Sequence, residues 1–193
     1  MPAKAIANRL RGHHLEKGFT LIEVMISMAV MTIGLVSLLG VFGLAMAATQ
    51  TSDQNSIAKQ LANEAMEGIL TARETDTIPW SSIQNTGSGG IFLAGFQPIY
   101  NAGADGIIGT ADDAAAGMQT LTMPGPDGIF GTADDVALPL SNYKRQIAIV
   151  TATDPSGNPI PTLNTVTITI QNYNPALKLP QYYVLNTYIS QYR

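Results

Sequence analysis

Gly18-Phe19-Thr20-Leu21-Ile22-Glu23-Val24 opens the stretch that decides how this chain is read. From Val24 to Ser52, 29 residues in all, there is no Asp, Glu, Lys, Arg or His, and Val, Ile, Leu, Met, Ala and Phe predominate. About 20 apolar residues in a helix cross the hydrocarbon of a bilayer, so the segment is a candidate membrane-spanning helix. Glu23 interrupts its start. A carboxylate inside hydrocarbon costs about 2.5 to 3.5 kcal/mol on insertion scales, so it either snorkels to the membrane edge or has a partner. Composition alone leaves both readings open.

Upstream, Lys4, Arg9, Arg11 and Lys17 against Glu16 give the first 18 residues a charge of +3, and the rest of the chain −7. An ordinary secretory signal is cut after its apolar run. Here the charged segment stops at Lys17-Gly18 and the apolar run follows at once. The order of basic leader, Gly, Phe-Thr-Leu-Ile-Glu and long apolar helix resembles the class III signal of type IV pilins and type II secretion pseudopilins. The resemblance covers residues 17 to 73, under a third of the chain.

In that family a membrane-embedded prepilin peptidase cuts after the glycine and methylates the new N-terminus. The resemblance therefore implies cleavage between Gly18 and Phe19, N-methylation of Phe19, and a role for Glu23 in assembly. Glu23 would meet the amino group of Phe19 in a neighbouring subunit. An α-amino group titrates near about 7.7 to 8 and is mostly cationic at neutral pH. A subunit out of register would leave both charges unpaired, so the pair would set stagger as well as attraction. Positive residues mark the cytoplasmic flank of a span, which places the leader inside and the remainder in the periplasm or beyond.

No proline occurs between Phe19 and Arg73, so the helix is expected to continue beyond the membrane. Gly34, Gly40 and Gly43 soften it by about 1 kcal/mol each relative to Ala, and small residues also let membrane helices approach closely. From Asp53 the pattern becomes amphipathic, with Ile57, Leu61, Ala65 and Ile69 on one face. A continuous helix of about 55 residues would be roughly 80 Å long, part anchor and part spine. It should fade between Thr71 and Pro79, because the residue before a proline is pushed toward extended geometry. Trp80 and Phe92, in the connection that follows, read as core residues.

An internal repeat comes next. Ala104-Asp105-Gly106-Ile107-Ile108-Gly109-Thr110-Ala111-Asp112-Asp113 returns 22 residues later as Pro126-Asp127-Gly128-Ile129-Phe130-Gly131-Thr132-Ala133-Asp134-Asp135. Asp-Gly and Asx turns form without metal. Yet the two copies hold six of the thirteen acidic residues beyond the leader, and their nearest cations in sequence, Lys144 and Arg145, lie outside them. Hard oxygen ligands on a glycine-shaped loop suit Ca²⁺, although the spacing is not that of an EF-hand. Asp105, Asp112, Asp113, Asp127, Asp134 and Asp135 are thus candidate calcium ligands, and a metal-free loop pair is the equal alternative. With no cysteine in the chain, a disulfide staple is excluded and calcium would be a substitute clamp. Some type II secretion pseudopilins hold calcium in head loops, which the resemblance adds to this reading.

The remainder reads as β structure. Lys144 to Thr153, Leu163 to Gln171 and Gln181 to Ser190 are rich in Val, Ile, Thr and Tyr, and Val166, Ile168 and Ile170 alternate with Thr165, Thr167 and Thr169. Asp154 to Pro159 and Asn172 to Pro175 carry the turn residues between them. The expected fold is α+β and pilin-like: a long N-terminal helix, half membrane-spanning and half amphipathic, packed on an antiparallel sheet with an inserted loop region. The expected divisions are a cleaved leader at 1–18, a membrane and filament-core helix at 19–52, and a head at 53–193 with loop repeats at 103–135 and the sheet at 144–190.

Both histidines, His13 and His14, lie in the leader. The expected mature chain thus has neither His nor Cys, which removes the commonest general bases, nucleophiles and zinc ligands. No enzyme is expected. The acidic balance gives no footprint for nucleic acid, and Tyr182, Tyr183, Tyr188 and Tyr192 read as sheet-surface packing residues. The expected function is a structural subunit of a type IV pilus or pilus-like filament, homo- or hetero-oligomeric. Its expected partners are the prepilin peptidase, an inner-membrane assembly platform, and the membrane itself before assembly. A type II secretion pseudopilin is the alternative, as is a calcium-dependent adhesin or binding head on a pilin-type anchor.

Overall fold

The computed structural model describes residues 18–174 and 179–192. Residues 1–17 of the expected leader, and the Pro175 end of the turn expected after Asn172, lie outside the described residues. The chain divides into two compact units, one ending at Met46 and one running from Ala47. Helix α1, Leu21–Glu74, contributes to both.

In the first unit, α1 begins where Thr20 supplies an N-cap. Its hydroxyl accepts the Glu23 amide at 3.3 Å, filling one of the donors that the first turn leaves without a helical partner. The sequence Thr-x-x-Glu is also that of a capping box. The apolar side chains from Leu21 to Met46 are exposed in the isolated chain. Polar side chains in this stretch fold back on the helix: Ser27 donates to the Glu23 carbonyl at 2.7 Å and Ser37 to that of Ile33 at 2.9 Å, and Thr32 makes the same bond to Met28. Such internal pairing suits surroundings that offer no water. The helix is long and apolar enough to cross a membrane.

In the second unit, the last turns of α1 form the spine of the core. The buried stripe is Ala58, Leu61, Ala62, Ala65, Met66, Ile69 and Ala72, wider than the expected Ile57, Leu61, Ala65, Ile69 series because alanines fill the close approach between helix and sheet. The helix ends in a Schellman turn. Thr77 donates to the Ala72 carbonyl at 3.1 Å and Asp76 to that of Arg73 at 3.3 Å, with Asp76 itself at φ 53° where glycine is usual.

The stripe packs on the inner face of a four-stranded antiparallel sheet. Its strands are β1 (Gln97–Pro98), β4 (Tyr143–Thr153), β5 (Pro159–Asn174) and β6 (Leu179–Ser190), in the order β1-β4-β5-β6. Val166, Ile168 and Ile170 of β5 are fully buried, and the intervening threonines face outward. Between β1 and β4 lie the short helix α2 (Asp113–Ala116) and a separate two-stranded hairpin, β2 (Thr120–Met123) with β3 (Val136–Pro139).

Three expectations need correction. Strands β5 and β6 run past the expected limits, so Asn172, Tyr173 and Asn174 continue β5 and pair as far as Asn174 with Leu179. The prolines at the other end of β5 are tolerated because they lie at the strand's start, where a missing N–H costs little. The hairpin β2–β3 was not expected at all, since its strands have four residues each. Of the tyrosines, Tyr183 turns inward against the core while Tyr182, Tyr188 and Tyr192 are exposed.

Candidate functional site

Two places carry the predicted site residues. At the N-terminal one, Gly18 and Phe19 precede the first turn of α1, and the Phe19 side chain is 83% exposed. Glu23 lies in that first turn, on the end of the helix whose free N–H groups favour a negative charge. Its side chain is exposed and free to meet a group from outside the chain.

The second place is the repeated loop. In the first copy, Asp105 folds its own turn by accepting the Ile107 amide at 2.8 Å. Asp112 reaches back to the same turn and accepts the Asp105 amide at 3.2 Å, and the Thr110 hydroxyl donates to it at 2.6 Å. Asp113 accepts the amides of Gly103 at 3.0 Å and Gly109 at 2.6 Å. The three carboxylates thereby converge, with one oxygen of each within 4.8 Å of the others. The donation from Thr110, followed by that from the Asp105 amide, holds the Asp112 carboxyl below its ordinary pKa.

The second copy repeats most of these bonds. Asp127 accepts the Ile129 amide at 2.8 Å, Asp134 accepts the Thr132 hydroxyl at 2.6 Å and the Asp127 amide at 3.4 Å, and Asp135 accepts the Gly131 amide at 2.7 Å. The Thr132 hydroxyl is the main cause of the lowered Asp134 pKa. Among the described residues, however, Asp135 Oδ1 is buried without a partner, where its counterpart Asp113 Oδ1 accepts the Gly103 amide.

A buried charge that sequence reading missed lies beside the first copy, lining one cavity with Asp113. Arg145 is 4% exposed on the inner face of β4. Its Nη1 donates to the Leu61 carbonyl of α1 at 3.4 Å and lies 4.0 Å from Glu64 Oε2. Burial depresses its pKa, and the negative charges of Glu64 and Asp113 oppose that. Asp113, itself 4% exposed, is a second negative charge near this guanidinium after Glu64. The signal was in the sequence: Arg145 has the inward parity of Tyr143, Ile147 and Ile149 in an alternating strand.

Asn85 has a comparable structural role on the edge of β4. It donates to the Ile147 carbonyl at 2.8 Å and accepts the Ile149 amide at 2.7 Å, so one side chain replaces a strand where β1 is too short to reach.

Chemically, the first loop offers clustered hard oxygens of the type that Ca²⁺ takes. The oxygens of Asp112 and Asp113 already accept loop hydrogen bonds, each with lone-pair capacity left. The donor set therefore fits a calcium ion, and the loop frame also closes through protein groups alone.

Residues 14–39 match the family model described as the prokaryotic N-terminal methylation motif. No curated protein and no solved structure matches the chain. The matched segment ends inside the uncharged stretch of α1 and includes Gly18, Phe19 and Glu23. The chain carries the class III signal of type IV pilin and pseudopilin precursors.

Proposed function

We propose that this chain is a structural subunit of a type IV pilus-like filament, held in the inner membrane by α1, cleaved after Gly18, N-methylated on Phe19 and then assembled through the helix. The observation that carries the reading is the methylation motif running directly into a 54-residue helix whose exposed side chains up to Met46 are almost all apolar. Such a surface needs lipid or neighbouring helices to cover it. In the filament, Glu23 pairs with the Phe19 amine of an adjacent subunit. Removing one partner of a buried pair costs about 3 to 5 kcal/mol.

Mass spectrometry of the mature N-terminus tests this, with cleavage after Gly18 and a methyl group on Phe19 expected. Glu23→Ala should be processed normally and assemble poorly. An assembled protein that retains its first eighteen residues would overturn the reading, and normal filament yield from Glu23→Ala would remove the pairing role. Quantity separates a major pilin from a pseudopilin: extended fibres built mainly of this chain favour the first, and its absence from purified fibres the second.

The convergence of Asp105, Asp112 and Asp113 favours one addition, a calcium ion at the first loop that clamps the head. Calcium should then raise the unfolding temperature of the detergent-solubilised chain and a chelator lower it, and Asp112→Asn should abolish the difference. A melting curve indifferent to calcium would exclude the clamp, and with it a calcium-dependent binding head.

A further inference from the structure

The two loop copies have the same hydrogen-bonded frame and opposite surroundings. In the first, Ile107 and Ile108 are 3% and 7% exposed; in the second, Ile129 and Phe130 are 60% and 66% exposed. The second loop is the tip of the β2–β3 arm, so the arm holds out an apolar pair on a loop that also carries Asp127, Asp134 and Asp135. Among the described residues, no Lys or Arg pairs with these three acids.

The outer face of the sheet has the opposite character. Strands β4, β5 and β6 contain no Asp or Glu. Lys144, Gln171 and Tyr182 lie side by side across the three strands, with Lys144 exposed and in no ion pair among the described residues. Tyr182 and Val184 are each 56% exposed, and the Phe96 ring lies 6.2 Å from that of Tyr182. Among the described residues of β4 to β6 the face is polar and aromatic with Lys144 as its one charge, where the arm tip is apolar and anionic.

We propose that the Ile129–Phe130 tip of one subunit docks on the outer sheet face of a second copy of this chain, beside Lys144 and Tyr182. This rests on the assembly reading given above. Charge complementarity selects the occupant: three carboxylates oppose approach to an anionic lipid surface, and they complement the acid-free strands. The contact joins two different patches, so it is heterologous and propagates as an open array instead of closing into a two-fold dimer. That is the geometry a filament subunit needs.

Because the chain has no cysteine, disulfide cross-linking tests the contact cleanly. Full-length Phe130→Cys and Tyr182→Cys chains with distinguishable tags are co-expressed and oxidised in cells. The mixed dimer should exceed that of a Phe130→Cys and Ala116→Cys control by about tenfold, as for groups held at millimolar effective concentration. Lys144→Glu should lower the yield and Lys144→Arg keep it. A mixed yield no greater than the control, or a dominant bond joining two Phe130→Cys chains, overturns the proposal. N-terminal mass spectrometry on the same samples separates the two readings. A processed, methylated chain without the cross-link sinks the docking surface alone; a chain that keeps its leader and lacks the cross-link sinks both.

Discussion

Asp105–Asp113 and Asp127–Asp135 are nine-residue segments that differ at one position, Ile108 against Phe130. Each forms the same Asx turn, the same threonine-to-aspartate bond and the same cap on its second glycine. Their environments share little. The first seats its isoleucines in the core with Phe92 and Ile147 and sets Asp113 against the charge of Arg145; the second stands at the end of a hairpin. A short motif of Asp, Gly and Thr thus specifies a loop shape, and where the loop is attached decides whether it acts as core or as surface.

The strongest way to break this comparison is to remove the last aspartate from each copy. Asp113→Ala should lower the head's stability by about 4 kcal/mol, because it leaves the amides of Gly103 and Gly109 without their acceptor at about 2 kcal/mol each and removes one of the two negative charges near Arg145; Asp135→Ala should cost about 1 kcal/mol, the single hydrogen bond from the Gly131 amide. Urea unfolding of the detergent-solubilised chain, followed by the fluorescence of its single tryptophan, Trp80, measures both. Equal costs would mean that the second loop is as deeply engaged as the first.

Next in size are the apolar pairs. Ile107→Ala should cost about 3 kcal/mol, as a buried truncation does, and Ile129→Ala should stay within about 0.5 kcal/mol, as exposed substitutions do. If the tip docks on a neighbouring head, Ile129→Ala should instead reduce head-to-head cross-linking, a split between stability and assembly that sharpens the contrast.

The second glycines give a smaller difference. Gly109 has φ 96°, and a Cβ there would sit 2.5 Å from Ile147 Cδ1, whereas Gly131, at φ 86°, has nothing within 4 Å. Gly109→Ala should cost about 2 kcal/mol, backbone strain plus overpacking, and Gly131→Ala about 1 kcal/mol, strain alone. The same unfolding assay resolves the two.

The smallest effect should be alike in both copies. Asp112 and Asp134 have folded-state pKa values below the ordinary one, chiefly through Thr110 and Thr132. A depressed carboxyl stabilises the fold fully above its unfolded pKa of about 3.9 and loses that contribution as pH falls toward the folded value. Thr110→Val and Thr132→Val should therefore each flatten the loss of stability below about pH 4, seen by repeating the unfolding curves along a pH series. A response from one copy alone would show that the shared frame is not equally formed.

Much of the head was legible from local pattern. The alternation of Val166, Ile168 and Ile170 placed β5, and Leu61, Ala65 and Ile69 placed the buried face of α1, because side-chain period is fixed by backbone geometry. The alanines of the spine were harder to see, since a small residue is buried by close approach and has little hydropathy of its own. The β2–β3 arm escaped because four-residue strands carry too short a period to register. Arg145 escaped because a charged residue in a strand reads as solvent-facing until the partners that neutralise it are known.

What the sequence determined by itself is the methylation motif and a helix long and apolar enough to cross a membrane. The basic first 18 residues, the Gly18-Phe19 junction, Glu23 and the uncharged run to Ser52 are contiguous, and a bilayer reads a segment by length and composition. What only the tertiary structure decided is the fate of the two loops and the burial of Arg145 near Glu64 and Asp113. Burial and charge compensation depend on neighbours from distant parts of the chain, and two nearly identical nine-residue segments contain nothing that says which will be covered.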